Sequence, residues 1–179
     1  MTSESVNAVA SPILVIPVGS FEQHGPHLPL DTDSRIALAL AKRLVAALST
    51  HTILGPTVTV TASGEHQGFA GTLSIGTETT ARVFEEIARS ADWAAGIVFV
   101  NGHGGNADAI AAARGAMRTE GRQVLFWSSS AQPGDDHHAG LTETSVMMHL
   151  DSSSVDTSRF APGKDRKSTR LNSSHANIS

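Results

Sequence analysis

The chain has no cysteine. That excludes disulfide bonds, a thiolate nucleophile and any zinc site of the cysteine type, so a metal would have to be held by imidazole and carboxylate. Tyrosine is also absent, and aromatic residues make up only 4% of the sequence. No long apolar run is present. The stretch Ile13 to Val18 is interrupted by Pro17 and closed by Gly19, which suits a buried strand rather than a signal peptide or a membrane span. A cytoplasmic location without a membrane partner is therefore expected. Basic residues form no stripe with interleaved aromatics, and the formal net charge is −4, which disfavours a nucleic-acid partner. What is present, 40% hydrophobic and 17% charged residues in 179, describes an ordinary globular domain with enough length for a substantial core.

The periodicities place strands and helices in alternation. ILVIPV (Ile13 to Val18) reads as a central strand, although Pro17 suggests that pairing ends there. From Asp33 to Leu48, the positions Ile36, Leu40, Leu44 and Leu48 recur at helical spacing. TVTVTA (Thr57 to Ala62) alternates and reads as a strand. A helical pattern follows from about Glu78 to Ala91. IVFV (Ile97 to Val100) is a strand, after which Asn106 is expected to cap a helix running to about Thr119. VLFW (Val124 to Trp127) gives another strand, and a last helix is expected near Thr142 to Leu150. This order implies an α/β domain with a mostly parallel sheet covered by helices on both faces.

Residues 164–179 differ in composition, being polar, serine-rich and aperiodic. They resemble a peptide string produced by read-through of sequencing adapters. We therefore expect residues 1–163 to be the α/β domain, truncated at its C-terminal end, and residues 164–179 to be an artefactual tail.

Three segments concentrate histidine and carboxylate. EQHGPHLPLDTD (Glu22 to Asp33) follows the first strand, and in an extended chain Glu22 and His24 project to the same side. Asp33, at the start of a helix, would equally serve as a plain N-cap. NGHGGN (Asn101 to Asn106) follows the IVFV strand, at the sheet edge where parallel α/β proteins bind ligands. A phosphate loop is the rival reading there, but it leaves His103 unexplained and lacks the P-loop lysine. DDHHAGLTETS (Asp135 to Ser145) carries His137, His138 and Glu143, each of which taken alone also reads as a surface residue. Together the segments offer the mixed imidazole and carboxylate donors that divalent metals favour. A two-metal site needs a bridging carboxylate between ions about 3.5–4 Å apart, and five ligands with one bridging Asp would meet that need.

In order along the chain, GSFEQHGPHLPLDTD, GEHQGFAGT, NGHGGN and HAGLTETS resemble the blocks of the creatininase family of metal-dependent amidohydrolases. The resemblance implies Glu22, Asp33 and His103 as ligands of one metal, and His24, a bridging Asp33 and a glutamate as ligands of the second. Creatininase itself supplies that glutamate two residues after the histidine of its Asn-Gly-His block. Here Gly105 stands in that place, so Glu143 is expected to take over. His138 matches the family's catalytic histidine, which would protonate the leaving nitrogen or steady the tetrahedral intermediate. Glu65 and His66 are expected to face the substrate or support the ligands, and His27 and Gln23 to orient ligands. His51 and His149 are read as packing or surface residues.

ASGEHQGFAGTLSIGTE with HAGLTETSVMMHL points within the family to the mycofactocin-system peptidases. These release a C-terminal dipeptide from a modified precursor peptide. That likeness implies iron with zinc, manganese being possible, and a homo-oligomer at full length. Hydrolysis of a small cyclic amide, as in creatininase, is the alternative within the enzyme class. A non-catalytic module holding one metal or a phosphate is the alternative outside it.

Overall fold

The computed structural model describes residues 1–48, 51–129 and 138–161. They fall into two compact units, one containing the described residues of Met1–Gln23 and Leu30–Ser129, the other His24–Pro29 and residues 138–161. The sequence expectations for His137 and for the tail lie outside the described residues.

The first unit is built on a four-stranded, all-parallel sheet of β1 (Ile13–Val18), β2 (Thr52–Leu54), β3 (Gly96–Asn101) and β4 (Val124–Ser128), ordered β2-β1-β3-β4. Pro17 does not end the pairing of β1 as expected. The ladder with β3 runs through Pro17↔Val100 to Val18↔Asn101.

The second strand is not where the alternation placed it. Thr57 to Ala62 forms only an isolated bridge, Val18↔Val58, and the strand is Thr52–Leu54. Val58 still donates to the Pro17 carbonyl at 2.9 Å, and Gly19 donates to the Val58 carbonyl at 2.9 Å, so the segment runs beside the end of β1 without a ladder.

Helices cover both faces, as the parallel connections require. On one side, α2 (Thr32–Leu48) buries Ala41 against Val15 and Val100, with Leu40, Leu44 and Val45 packed around them. On the other, α3 (Thr77–Ser90) and α4 (Ala107–Thr119) enclose the main core. Phe84 of α3 packs 5.3 Å from Phe99 and 5.6 Å from Phe126, and those two rings stack at 4.8 Å. The sequence reading omitted α1 (Ser3–Asn7), a single capped turn closed by reciprocal Thr2 and Ser5 bonds.

The second unit carries α5 (Leu141–Asp151), which buries Met147, followed by two short 3-10 turns. Its His24–Pro29 segment turns at Gly25, whose φ of 68° is one that glycine adopts without strain. Among the described residues no helix is long and apolar enough to cross a membrane.

Candidate metal centre

In the first unit, the chemistry gathers where β1 and β3 end. Glycines at both ends let α2 begin close to the sheet. A Cβ on Gly19 would lie 2.4 Å from the Ser34 backbone, and one on Gly102 would lie 2.7 Å from the Asp33 carbonyl. Asp33 is therefore delivered to the edge of the sheet, inside the first turn of α2. Its carboxylate engages side chains from outside the helix. Oδ2 accepts from Ser20 Oγ at 2.8 Å and lies 2.9 Å from His103 Nδ1. Glu22 Oε1 lies 3.3 Å from the same Nδ1, and Glu22 Oε2 lies 3.3 Å from His66 Nδ1. Glu22, Asp33 and His103 are all buried.

The two nitrogens of His103 face different partners. Nδ1 faces the two buried carboxylates, while Nε2 lies 2.9 Å from the Ala62 carbonyl, an acceptor only, and therefore carries a proton. Ligand atoms, one each from Glu22, Glu65 and His103, lie within 4.8 Å of one another, near enough to share an ion. The Nε2 bond to Ala62 nevertheless makes Nδ1, facing Glu22 and Asp33, the nitrogen available to an ion.

The electrostatics match this geometry. Burial alone would lower the pKa of His103, but the hydrogen bond and charge of Asp33, the charge of Glu22 and the Ala62 carbonyl outweigh it and raise the value to about 9. Burial likewise opposes ionisation of Glu22, yet the His66 hydrogen bond and the His103 charge hold it below its usual range. The cluster is thus two buried carboxylates facing an imidazole whose charged form they favour. A donor set that already gathers around positive charge fits a divalent ion.

Asn106, expected to cap α4, makes no side-chain cap bond. It accepts from Ala62 N at 3.2 Å and donates to Asn101 Oδ1 at 2.9 Å, while Asn101 Nδ2 donates to the His103 carbonyl at 2.8 Å. The two asparagines of NGHGGN therefore brace the loop that carries His103. Capping logic misplaces Asn106, and the sequence reading singled out neither the bracing role of Asn101 nor Ser20. Gln23 donates its backbone N–H to Thr72 Oγ1 at 3.0 Å.

The second unit brings together His24, His138 and Glu143. His24 Nε2 lies 3.9 Å from Glu143 Oε2, and the His24 and His138 rings are 4.5 Å apart. Glu143 is in the first turn of α5, where Oε2 also accepts from Ala139 N at 2.6 Å. His27 lies 2.9 Å from Thr144 Oγ1 through Nε2, and its carbonyl accepts from Asp156 N at 2.9 Å. This ties the segment of His24 to the helix of Glu143. His149 is exposed, and His51 pairs with the Ala10 carbonyl at 2.7 Å, so neither joins a cluster.

The creatininase family model, described as creatinine amidohydrolase, matches residues 1–178. The chain belongs to the creatininase family. It is 51% identical over 162 residues to a mycofactocin precursor peptide peptidase of Mycobacterium tuberculosis, a match covering 86% of this chain and 64% of that protein. The chain thus spans less than two thirds of that relative's length. Among solved structures, a mutant creatininase of Zn-Zn type superposes with a TM-score of 0.73 at 25% identity, covering 89% of this chain and 74% of the other. A structure named creatininase Mn superposes with a TM-score of 0.68 at 26% identity, covering the same shares. The parallel sheet with helices on both faces is the family's fold, as expected from the strand and helix order.

Proposed function

We propose that this chain is the catalytic part of a metal-dependent peptidase that releases a C-terminal dipeptide from a modified precursor peptide. The observation that carries the reading is the buried Glu22–Asp33–His103 cluster at the sheet edge, in a chain half identical to a named peptidase. In this reading Glu22, Asp33 and His103 hold one divalent ion, and His24, Asp33 and Glu143 hold a second. Family correspondence, not a measured distance, assigns Asp33 to both. Bound divalent ions supply an ionised water and a polarised carbonyl.

The protein's own groups supply the rest. Ser20 and the Ala62 carbonyl fix the orientation of Asp33 and His103. His66, 3.3 Å from Glu22, steadies that carboxylate and is placed to meet substrate with Glu65. His138, beside His24, is the acid that protonates the departing amine. Iron with zinc is the metal pair we favour, from the likeness to the mycofactocin-system peptidases, and manganese is the alternative; similar creatininases are named for zinc and for manganese. A homo-oligomer is the proposed assembly.

The test is hydrolysis of a peptide ending in Val-Tyr by protein loaded with each metal, with creatinine assayed in parallel. Release of the dipeptide that disappears with chelator and in Glu22→Gln is expected. Activity on creatinine alone would reject the peptidase reading, and fewer than two bound ions with no hydrolysis would reject catalysis altogether.

A further inference from the structure

Gly105 lies two residues beyond His103 in a 3-10 turn, and the space above its Cα is filled. A Cβ there would stand 2.2 Å from Glu65 Oε1, 2.4 Å from His103 Nε2 and 2.6 Å from the Ala62 carbonyl oxygen. No side chain fits without moving one of the three, and the Ala62 carbonyl is backbone. The groups that crowd the position are those that face the Nε2 side of His103. Ala62 accepts at 2.9 Å, and the Glu65 carboxylate lies 3.9 Å from Nε2. Asn106 Oδ1 holds Ala62 by accepting from its backbone N–H at 3.2 Å.

We propose that Gly105 and Glu65 are positioning residues that set which nitrogen of His103 binds metal. The glycine leaves room for the Ala62 carbonyl to bond Nε2 and for the Glu65 carboxylate to lie beside it. The Ala62 carbonyl accepts the Nε2 proton, and the Glu65 carboxylate, beyond hydrogen-bond reach at 3.9 Å, places negative charge on that same side, leaving Nδ1 to Glu22, Asp33 and an ion. A carboxylate or carbonyl behind a metal-bound imidazole fixes its tautomer and raises its basicity, and loss of such a partner weakens metal binding. The missing side chain at Gly105 is on this reading a requirement of Glu65, and Glu65 acts on the metal through His103 rather than by touching it. The inference rests on the metal-binding reading above.

The experiment is Zn2+ affinity by chelator competition for the full chain and for Glu65→Ala, Glu65→Gln and Gly105→Ala, with the thermal midpoint of each metal-free protein measured alongside. Histidine nitrogen shifts of the zinc-loaded protein report the tautomer. Glu65→Ala and Gly105→Ala are expected to weaken binding by about 10–100-fold. Glu65→Gln, which keeps an acceptor oxygen, should lose less. Glu65 is on the rim of the cluster, so its variants should leave the metal-free midpoint close to that of the parent. Loaded His103 should carry its proton on Nε2. Affinities in Glu65→Ala within about twofold of the parent, against the loss that partner removal normally causes, would overturn the positioning role while leaving metal binding intact. So would a proton found on Nδ1. If Gly105→Ala does not fold, Glu65→Ala still decides. A parent chain that binds no Zn2+ would overturn the function and this inference together.

Discussion

Metal binding to this chain should release a proton, and its strength should climb steeply between pH 7 and 9. In the metal-free protein His103 titrates at about 9, because Asp33 and Glu22 outweigh the effect of its burial. An ion that takes Nδ1 must displace that proton. At pH 7 only about one molecule in a hundred carries His103 neutral, so apparent affinity should rise about tenfold per pH unit and level off near 9. An unperturbed histidine, titrating near 6.5, would change affinity by less than about 1.5-fold over the same interval. Glu22, held below the ordinary carboxylate range, stays ionised throughout and adds no proton to the count. The assay is calorimetric titration with Mn2+ in buffers of different ionisation enthalpy, which yields affinity and protons released together. About one proton per ion is expected at pH 7 and almost none above pH 9. Asp33→Asn removes both a ligand and the strongest influence raising the imidazole, so it should weaken binding and flatten the slope. An affinity that is flat from pH 7 to 9, with no proton released at pH 7, would refute the imidazolium as placeholder.

The same titration governs stability without metal. A folded pKa raised above 6.5 contributes stability that is full below 6.5 and lost as pH rises through about 9. The interval is worth on the order of 3 kcal/mol, so urea midpoints of chelated protein should fall across that window and the loss should vanish in His103→Ala. Ser20→Ala strips Asp33 of a buried 2.8 Å donor and should cost about 1–3 kcal/mol in a denaturant titration, with weaker metal binding. Phe84→Ala opens a cavity against Phe99 and Phe126 and should cost about 3–5 kcal/mol, measured the same way, without altering the pH slope of metal binding.

Much of the fold was legible because its elements declare themselves by period. The α2 helix, with leucines at steps of four, and the β3 strand, wholly apolar and followed by glycine, fall within a residue or two of their expected bounds. The Thr57–Ala62 expectation failed for a physical reason. Alternation reports that one side of a segment is covered, and a segment crossing the end of β1 satisfies that with one bridge and two backbone bonds. The actual β2, three residues long, is too short to show any period. Asn106 misled in a related way, since cap preference scores a residue by its local backbone, whereas this side chain is used over longer range to brace the His103 loop.

Residue type and spacing drew attention to Glu22, Asp33 and His103 and the family resemblance grouped them, but neither could say which atom of His103 faces which neighbour. That distinction depends on Ala62, a residue with no functional side chain, whose carbonyl arrives from a segment 41 positions away. A backbone acceptor leaves no mark in residue identity at its own position. It leaves one at Gly105, where a side chain is forbidden by the company His103 keeps. On the reading proposed above, the glycine that looks from the family pattern like a lost ligand is the space in which His103 is oriented. If so, restoring the absent carboxylate by Gly105→Glu should not build a better centre. It should drive the Ala62 carbonyl or Glu65 off Nε2 and weaken Zn2+ binding at least as much as Gly105→Ala does. Tighter binding in Gly105→Glu would show that the position is a vacant ligand site after all.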